Sequence, residues 1–220
     1  YTVYGKDTAI GETTTITAEK DGYLPDKMWV SGRLTENTTV TVTYKAADKW
    51  DGTVATAYES GTGTAEDPYI IRTGAQLAYM QSQYSGKQSQ VYASDIYFKL
   101  AASIDLTGAE WKPIAHRGDF TSTKWSYFAG IFDGNGYTIK LAVDNTNYAG
   151  YGLFEGLRGT VKNLTVAGSL VVKNRVGAIA YMNSNNAVIE NCNNYATISG
   201  SGYAGGIIAA VNGAGKLTKC

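Results

Sequence analysis

The sequence predicts an all-β chain: a small β-sandwich or β-grasp-like module, then a right-handed parallel β-helix with one short capping helix. Three observations carry that reading. The 220 residues are rich in Gly (26) and Tyr (17) and poor in Pro (3) and Met (3), which suits short strands and tight turns. β-branched runs alternate with Gly/Asn turns. The C-terminal part also repeats itself at offsets of 22, 28 and 28 residues, a period that in an all-β sequence marks a solenoid.

Residues 1–47 form the first unit. Thr13–Ala18 and Thr38–Tyr44 are period-2 runs of half-buried strand type, separated by turn signals at Lys20-Asp21-Gly22, Leu24-Pro25-Asp26 and Glu36-Asn37. A unit this small buries little core, with Tyr23, Trp29 and Val30 as its candidates. The second unit, 48–220, opens at Trp50-Asp51-Gly52. Its first stretch, about 50–127, reads as a cap, and 128–220 as coils cut off at Cys220. The chain begins without Met and stops inside a repeat, so it reads as a piece of a longer protein.

Within the cap, Thr73-Gly74-Ala75-Gln76 has capping-box spacing, followed by Leu77 and Met80 on one helical face. A short helix over 74–84 is expected to cover the open end of the stack. In the coils, Ile139, Val161, Ile189 and Leu217 align, each preceded by a Gly-led apolar stretch: Gly130-Ile131-Phe132, Gly152-Leu153-Phe154, Gly177-Ala178-Ile179 and Gly206-Ile207-Ile208. One coil cannot bury its inward face alone, so neighbours stack and form an apolar column. Asn163 and Asn191 fall at equivalent positions, where stacked amides can hydrogen-bond as a ladder. Cys192 and Cys220, one period apart, are expected to stack inward as buried free thiols, since disulfide geometry is demanding.

The segment Gly152-Leu153-Phe154 through Gly159-Thr160-Val161-Lys162-Asn163-Leu164-Thr165-Val166 resembles the GLUG motif of bacterial surface proteins. The lead-in Gly61–Ile71, Phe98–Leu106, Trp111–Ile114 and Phe128–Gly136 extends the resemblance over about 50–220. The N-terminal unit is similar to the small MucBP-like β repeats of Gram-positive stalks. The GLUG resemblance implies a β-helix that accompanies adhesins, surface proteins and non-catalytic parts of IgA-peptidase-like proteins.

For function, Lys+Arg and Asp+Glu balance at 19 each, which offers no electrostatic case for nucleic acid or an acidic membrane surface. No apolar run approaches membrane-span length, so no membrane insertion is expected. His116, the single histidine, falls in a loop expected to face solvent, and no zinc spacing accompanies it. No metal or cofactor is expected. Asp133-Gly134-Asn135-Gly136 reads as a tight turn rather than a calcium loop. Asp133 and Glu155 follow aligned apolar pairs and are the acid pair a sugar-cleaving enzyme would need on one face. Trp125, Tyr127, Tyr148, Tyr151, Tyr181 and Tyr203 are candidates for a ligand-binding aromatic face, and Trp111 and Tyr195 belong to the same set. The reading is a monomeric, non-catalytic adhesive region, secreted or attached to a bacterial cell wall, that binds a host or environmental glycan or glycoprotein. An accessory region of a large secreted peptidase and a carbohydrate-active β-helix enzyme are the alternatives.

Overall fold

A computed structural model describes residues 23–25, 44–46, 49–85, 94–117, 126–145, 150–183 and 186–220. Of the N-terminal unit, only an antiparallel pair is described, β1 (Tyr23–Pro25) with β2 (Tyr44–Ala46). The rest of that expected module lies outside the described residues.

From residue 49 onward the chain is a parallel β-solenoid of about four turns. β3 (Tyr69–Ile71) leads into the single helix among the described residues, α1 (Gly74–Tyr84), and then into β4 (Tyr97–Leu100) and β5 (Ile104–Asp105). The first full coil is β6 (Ile131–Asp133), β7 (Thr138–Asn145), β8 (Gly150–Tyr151) and β9 (Phe154–Leu157). The second is β10 (Thr160–Lys162), β11 (Thr165–Val172), β12 (Arg175–Gly177) and β13 (Ala180–Asn183). The third is β14 (Val188–Glu190), β15 (Asn193–Gly200), β16 (Ala204–Gly205) and β17 (Ile208–Val211), and β18 (Lys216–Thr218) opens another. Stacking these coils gives four parallel sheets: β3-β4-β6-β10-β14-β18, β5-β7-β11-β15, β8-β12-β16 and β9-β13-β17.

Register follows from the inward columns. Phe98, Phe132, Val161 and Ile189 stack on the first face, and Ile104, Ile139 and Val166 on the second. All are buried. At a strand spacing of ~4.8 Å each inward side chain touches those above and below, and each full burial is worth about 1.5–3 kcal/mol. A one-residue slip would turn a whole column outward, so the pattern holds the register.

The expected helix is present over the expected residues. Gln76 N–H donates to Thr73 Oγ1 (3.3 Å) while Gln76 Oε1 accepts from Thr73 N–H (3.2 Å), the reciprocal capping box. Leu77, Met80 and Tyr84 join the core at the β3 end, where Tyr84 meets Phe98 and Phe128 edge-on.

Two expectations about the coils are corrected. Gly130-Ile131-Phe132 does not stack on Gly152-Leu153-Phe154: Phe132 pairs with Val161, and Phe154 pairs with Ala180 on a different sheet. The first offset is therefore not 22 residues, because Ile131 lies opposite Thr160 and Ile139 opposite Val166. Gly130 instead faces Gly159, where a Cβ on Gly159 would sit 2.0 Å from the Gly130 carbonyl oxygen. The later register, Val161–Ile189–Leu217, is as expected. The stretch read as a cap also supplies β3, β4 and β5 in parallel register with the coils.

Candidate functional site

The corner ladder shows what one of the expected acids does. Asn163 and Asn191 occupy the left-handed region (φ 53° and 54°) just after β10 and β14. Asn191 Nδ2 donates to Asn163 Oδ1, and Asn163 Nδ2 donates to Asp133 Oδ1, each at 2.9 Å. Asp133 Oδ1 also accepts from Asn135 N–H (2.8 Å), which closes the tight turn through Asn135 and Gly136, and Lys162 Nζ lies 3.7 Å from Oδ2. Asp133 thus terminates a hydrogen-bonded ladder. Asn side chains suit this place because Asn tolerates positive φ better than other non-Gly residues.

Glu155 is elsewhere. It is wholly buried on β9, at 0 % exposure, and its carboxylate is gripped by Arg117, with Nε at 2.5 Å and the backbone N–H at 3.1 Å. Burial pushes its carboxyl above the usual range, against the lowering effect of Arg117. Asp133 and Glu155 lie on different sheets, so the expected sugar-cleaving pair is not assembled. His116, expected in solvent, is only 7 % exposed next to Arg117, and burial, reinforced by Lys112 and Arg117, lowers its pKa to about 4. The loop read as open is drawn inward because Ile114 bridges to Phe154 and Arg117 must reach Glu155.

The expected aromatic face is divided. Tyr203 is 61 % exposed with the Arg175 guanidinium 5.0 Å from its ring centroid, and Arg158 lies 4.5 Å from that of half-buried Tyr127. Tyr181 is buried and accepts from Arg175 Nη1 (3.1 Å). Tyr151 is wholly buried, its hydroxyl donating to the Trp111 carbonyl, which removes it from an outward face. Trp125 and Tyr148 lie outside the described residues. Among the described residues no three His, Cys, Asp or Glu side chains gather as a metal site, and no helix is long and apolar enough to cross a membrane.

The concave feature with convergent polar groups lies at another corner. A cleft of about 440 Å³ is lined by Thr107–Trp111, by Ala142–Asp144 at the end of β7, and by Tyr151. Its floor is built locally. Asp105 Oδ1 accepts from Thr107 N–H (2.8 Å) and turns the chain out of β5. Gly108 then passes so close to residue 50 that a Cβ would stand 2.4 Å from the Trp50 carbonyl oxygen. Trp111 packs edge-on against Trp50 at 5.3 Å and is buried. Its Nε1–H has no hydrogen-bond partner among the described residues. Strand alternation in β7 buries Val143 and exposes Ala142 and Asp144, so one carboxylate reaches the cleft from β7 while Glu110, also exposed, brings another from the loop. Two carboxylates and a threonine hydroxyl accept hydrogen bonds, and their charge disfavours anions. The volume falls in the range of small-ligand sites.

No family model matches the sequence. Halomucin of Haloquadratum walsbyi is 31% identical over 193 residues, covering 84% of this chain and 2% of the relative. A candidate Gly-rich membrane protein of Evansella cellulosilytica is 32% identical over 148 residues, covering 62% of this chain and 15% of the relative. The chain thus spans a small part of the curated relatives it matches. Among solved structures, a candidate immunoglobulin A1 protease from Bacteroides ovatus superposes with a TM-score of 0.51 at 23% identity, over 73% of this chain and 58% of that one. That likeness supports the solenoid fold.

Sequence reasoning singled out Trp111 and Tyr151 but not their convergence, and it passed over Thr107 and Glu110. The available signal was local: an Asp-x-Thr-Gly turn followed, after one alanine, by an acid and a tryptophan.

Proposed function

We propose that this chain is a non-catalytic binding region of a larger surface or secreted protein, and that it takes a neutral polyhydroxylated ligand, a glycan, in the Thr107–Trp111/Asp144 cleft. The observation that supports the reading best is the convergence of the Glu110 and Asp144 carboxylates with Thr107 in one concave corner. Ligand hydroxyls donate to the Glu110 and Asp144 carboxylates, which only accept hydrogen bonds. The names of the curated relatives fit a surface protein. Residues 1–47 fit a separate stalk module ahead of the solenoid at 48–220, and Tyr127 and Tyr203 are candidates for further contacts outside the cleft. The accessory region of a secreted peptidase is a second reading, favoured by the name of the solved neighbour.

The test is calorimetric titration of glycans selected on an array against the parent chain, Glu110→Gln and Asp144→Asn. Each variant should weaken binding about tenfold, since hydrogen bonds to charged groups are worth about 1.5–3 kcal/mol. Binding that both variants leave unchanged would move the site elsewhere. Turnover of a bound glycan would replace the binding region with an enzyme.

A further inference from the structure

The last two coils bring the two cysteines of the chain together. Lys162, Glu190 and Thr218 are in register on successive strands, so Leu164, Cys192 and Cys220 follow at one equivalent position. Cys192 Sγ lies 3.3 Å from the Glu190 carbonyl oxygen and 3.7 Å from that of Val161. Cys220 Sγ repeats this one coil later, 3.2 Å from Thr218 O and 3.8 Å from Ile189 O. The two side chains therefore share one orientation, and Cys192 N–H donates to Cys220 Sγ at 3.4 Å. Strand spacing of ~4.8 Å falls inside the Cα separation of about 4.4–6.8 Å that a disulfide spans. Both are free thiols, Cys192 buried and Cys220 exposed, so the expectation of two buried thiols holds for only one. The exposed partner is free to turn its sulfur toward its neighbour.

We propose that Cys192 and Cys220 are a redox pair that closes into an inter-coil disulfide on meeting a low-molecular-weight disulfide, stapling β18 to the coil beneath it. The side-chain hydrogen bond between the two thiols lowers Cys220 to about 6, whereas that same bond and burial hold the Cys192 thiol well above the usual range. Cys220 is accordingly the nucleophile. Its thiolate attacks one sulfur of the small disulfide, forming a mixed disulfide and expelling a small thiolate. Cys192 then gives up its proton to that thiolate and attacks Cys220 Sγ. The protein disulfide forms and the second small thiolate leaves. Two protein thiols are oxidised and one small disulfide is reduced to two thiols. The consequence is local. The bond would hold β18 against β14, its parallel partner.

The experiment treats the purified chain with excess oxidised glutathione at neutral pH. Free thiols and intact mass are followed, with peptide mapping and hydrogen exchange of the product. The proposal expects loss of both thiols without dimer formation, a mass lower by two hydrogens, a Cys192–Cys220 linked peptide and slower exchange in β18. In Cys192→Ser the reaction should stop at a glutathione adduct on Cys220. In Cys220→Ser the buried Cys192 should stay unmodified, which keeps the order of attack testable if one variant folds poorly. Two thiols surviving in the parent chain, a parent that stalls as the glutathione adduct, or an intermolecular disulfide would each overturn the pair. An unreactive Cys220 in Cys192→Ser would overturn the sequence of attack.

Discussion

Replacing Asn163 separates the two contributions that hold the solenoid corner. Asn163→Ala removes the amide that donates to Asp133 and accepts from Asn191, both at 2.9 Å, and leaves a Cβ-bearing residue at φ 53° without the local bonds that favour it. The hydrogen bond to the carboxylate is worth about 1.5–3 kcal/mol and the neutral one about 0.5–1.5 kcal/mol. Placing Ala in the left-handed region adds about 1 kcal/mol. The site is part-buried, so the lower ends apply and the expected loss is about 3 kcal/mol. Asn163→Gly loses the same bonds but relieves the backbone, and should lose about 2 kcal/mol on the same scales. The assay is urea unfolding followed by far-ultraviolet circular dichroism, with midpoints compared at equal slope. An alanine variant within about 0.5 kcal/mol of the parent, the usual spread for inert surface changes, would refute the ladder as a structural element. A glycine variant less stable than the alanine one would refute the backbone part.

Other outcomes follow from the Arg117 corner and the helix. Arg117→Ala strands the buried Glu155 carboxylate and should cost about 3–5 kcal/mol, whereas Arg117→Met with Glu155→Leu should recover most of that loss in thermal melts. A double variant as unstable as the single would show that the charge itself is not what Arg117 answers. Acidification should act through His116. With its folded pKa depressed to about 4, the stability it contributes is present above the ordinary histidine value and is lost as pH falls through about 4. Glu155, raised, has the opposite sign: its contribution is fully present below the ordinary carboxylate range and fades as pH rises through its elevated value. His116→Gln should therefore flatten the acid limb of a melting-temperature profile. An unchanged limb would mean that His116 is not buried neutral. Thr73→Ala should cost about 1 kcal/mol through the lost cap, and no measurable change in urea midpoint would contradict a stability role for the capping box.

What the sequence disclosed was local or strictly periodic. Thr73 and Gln76 lie three residues apart and announce α1 by themselves. Asn163 and Asn191, like Val161, Ile189 and Leu217, recur at the 28-residue spacing of the regular coils. The first coil defeated the same reasoning. Its β6–β7 turn holds Gly134–Tyr137 where the next coil has only Asn163 and Leu164, and Gly-Ile-Phe there imitates Gly-Leu-Phe on another face. Composition could not expose the Arg117–Glu155 pair, whose members lie 38 residues apart, nor the inward turn of His116 that goes with it. The cleft was hidden for a similar reason: Trp111 and Tyr151 meet across 40 residues, through a stacking register that neither residue signals.

Glycan-array binding by the whole chain beside its Glu110→Gln/Asp144→Asn double variant tests the central claim most directly. The account predicts saturable binding of neutral glycans by the parent, weakened about a hundredfold in the variant as two losses of roughly tenfold add, with no product released. Equal binding by both proteins, binding confined to anionic glycans, or no binding at all would contradict it.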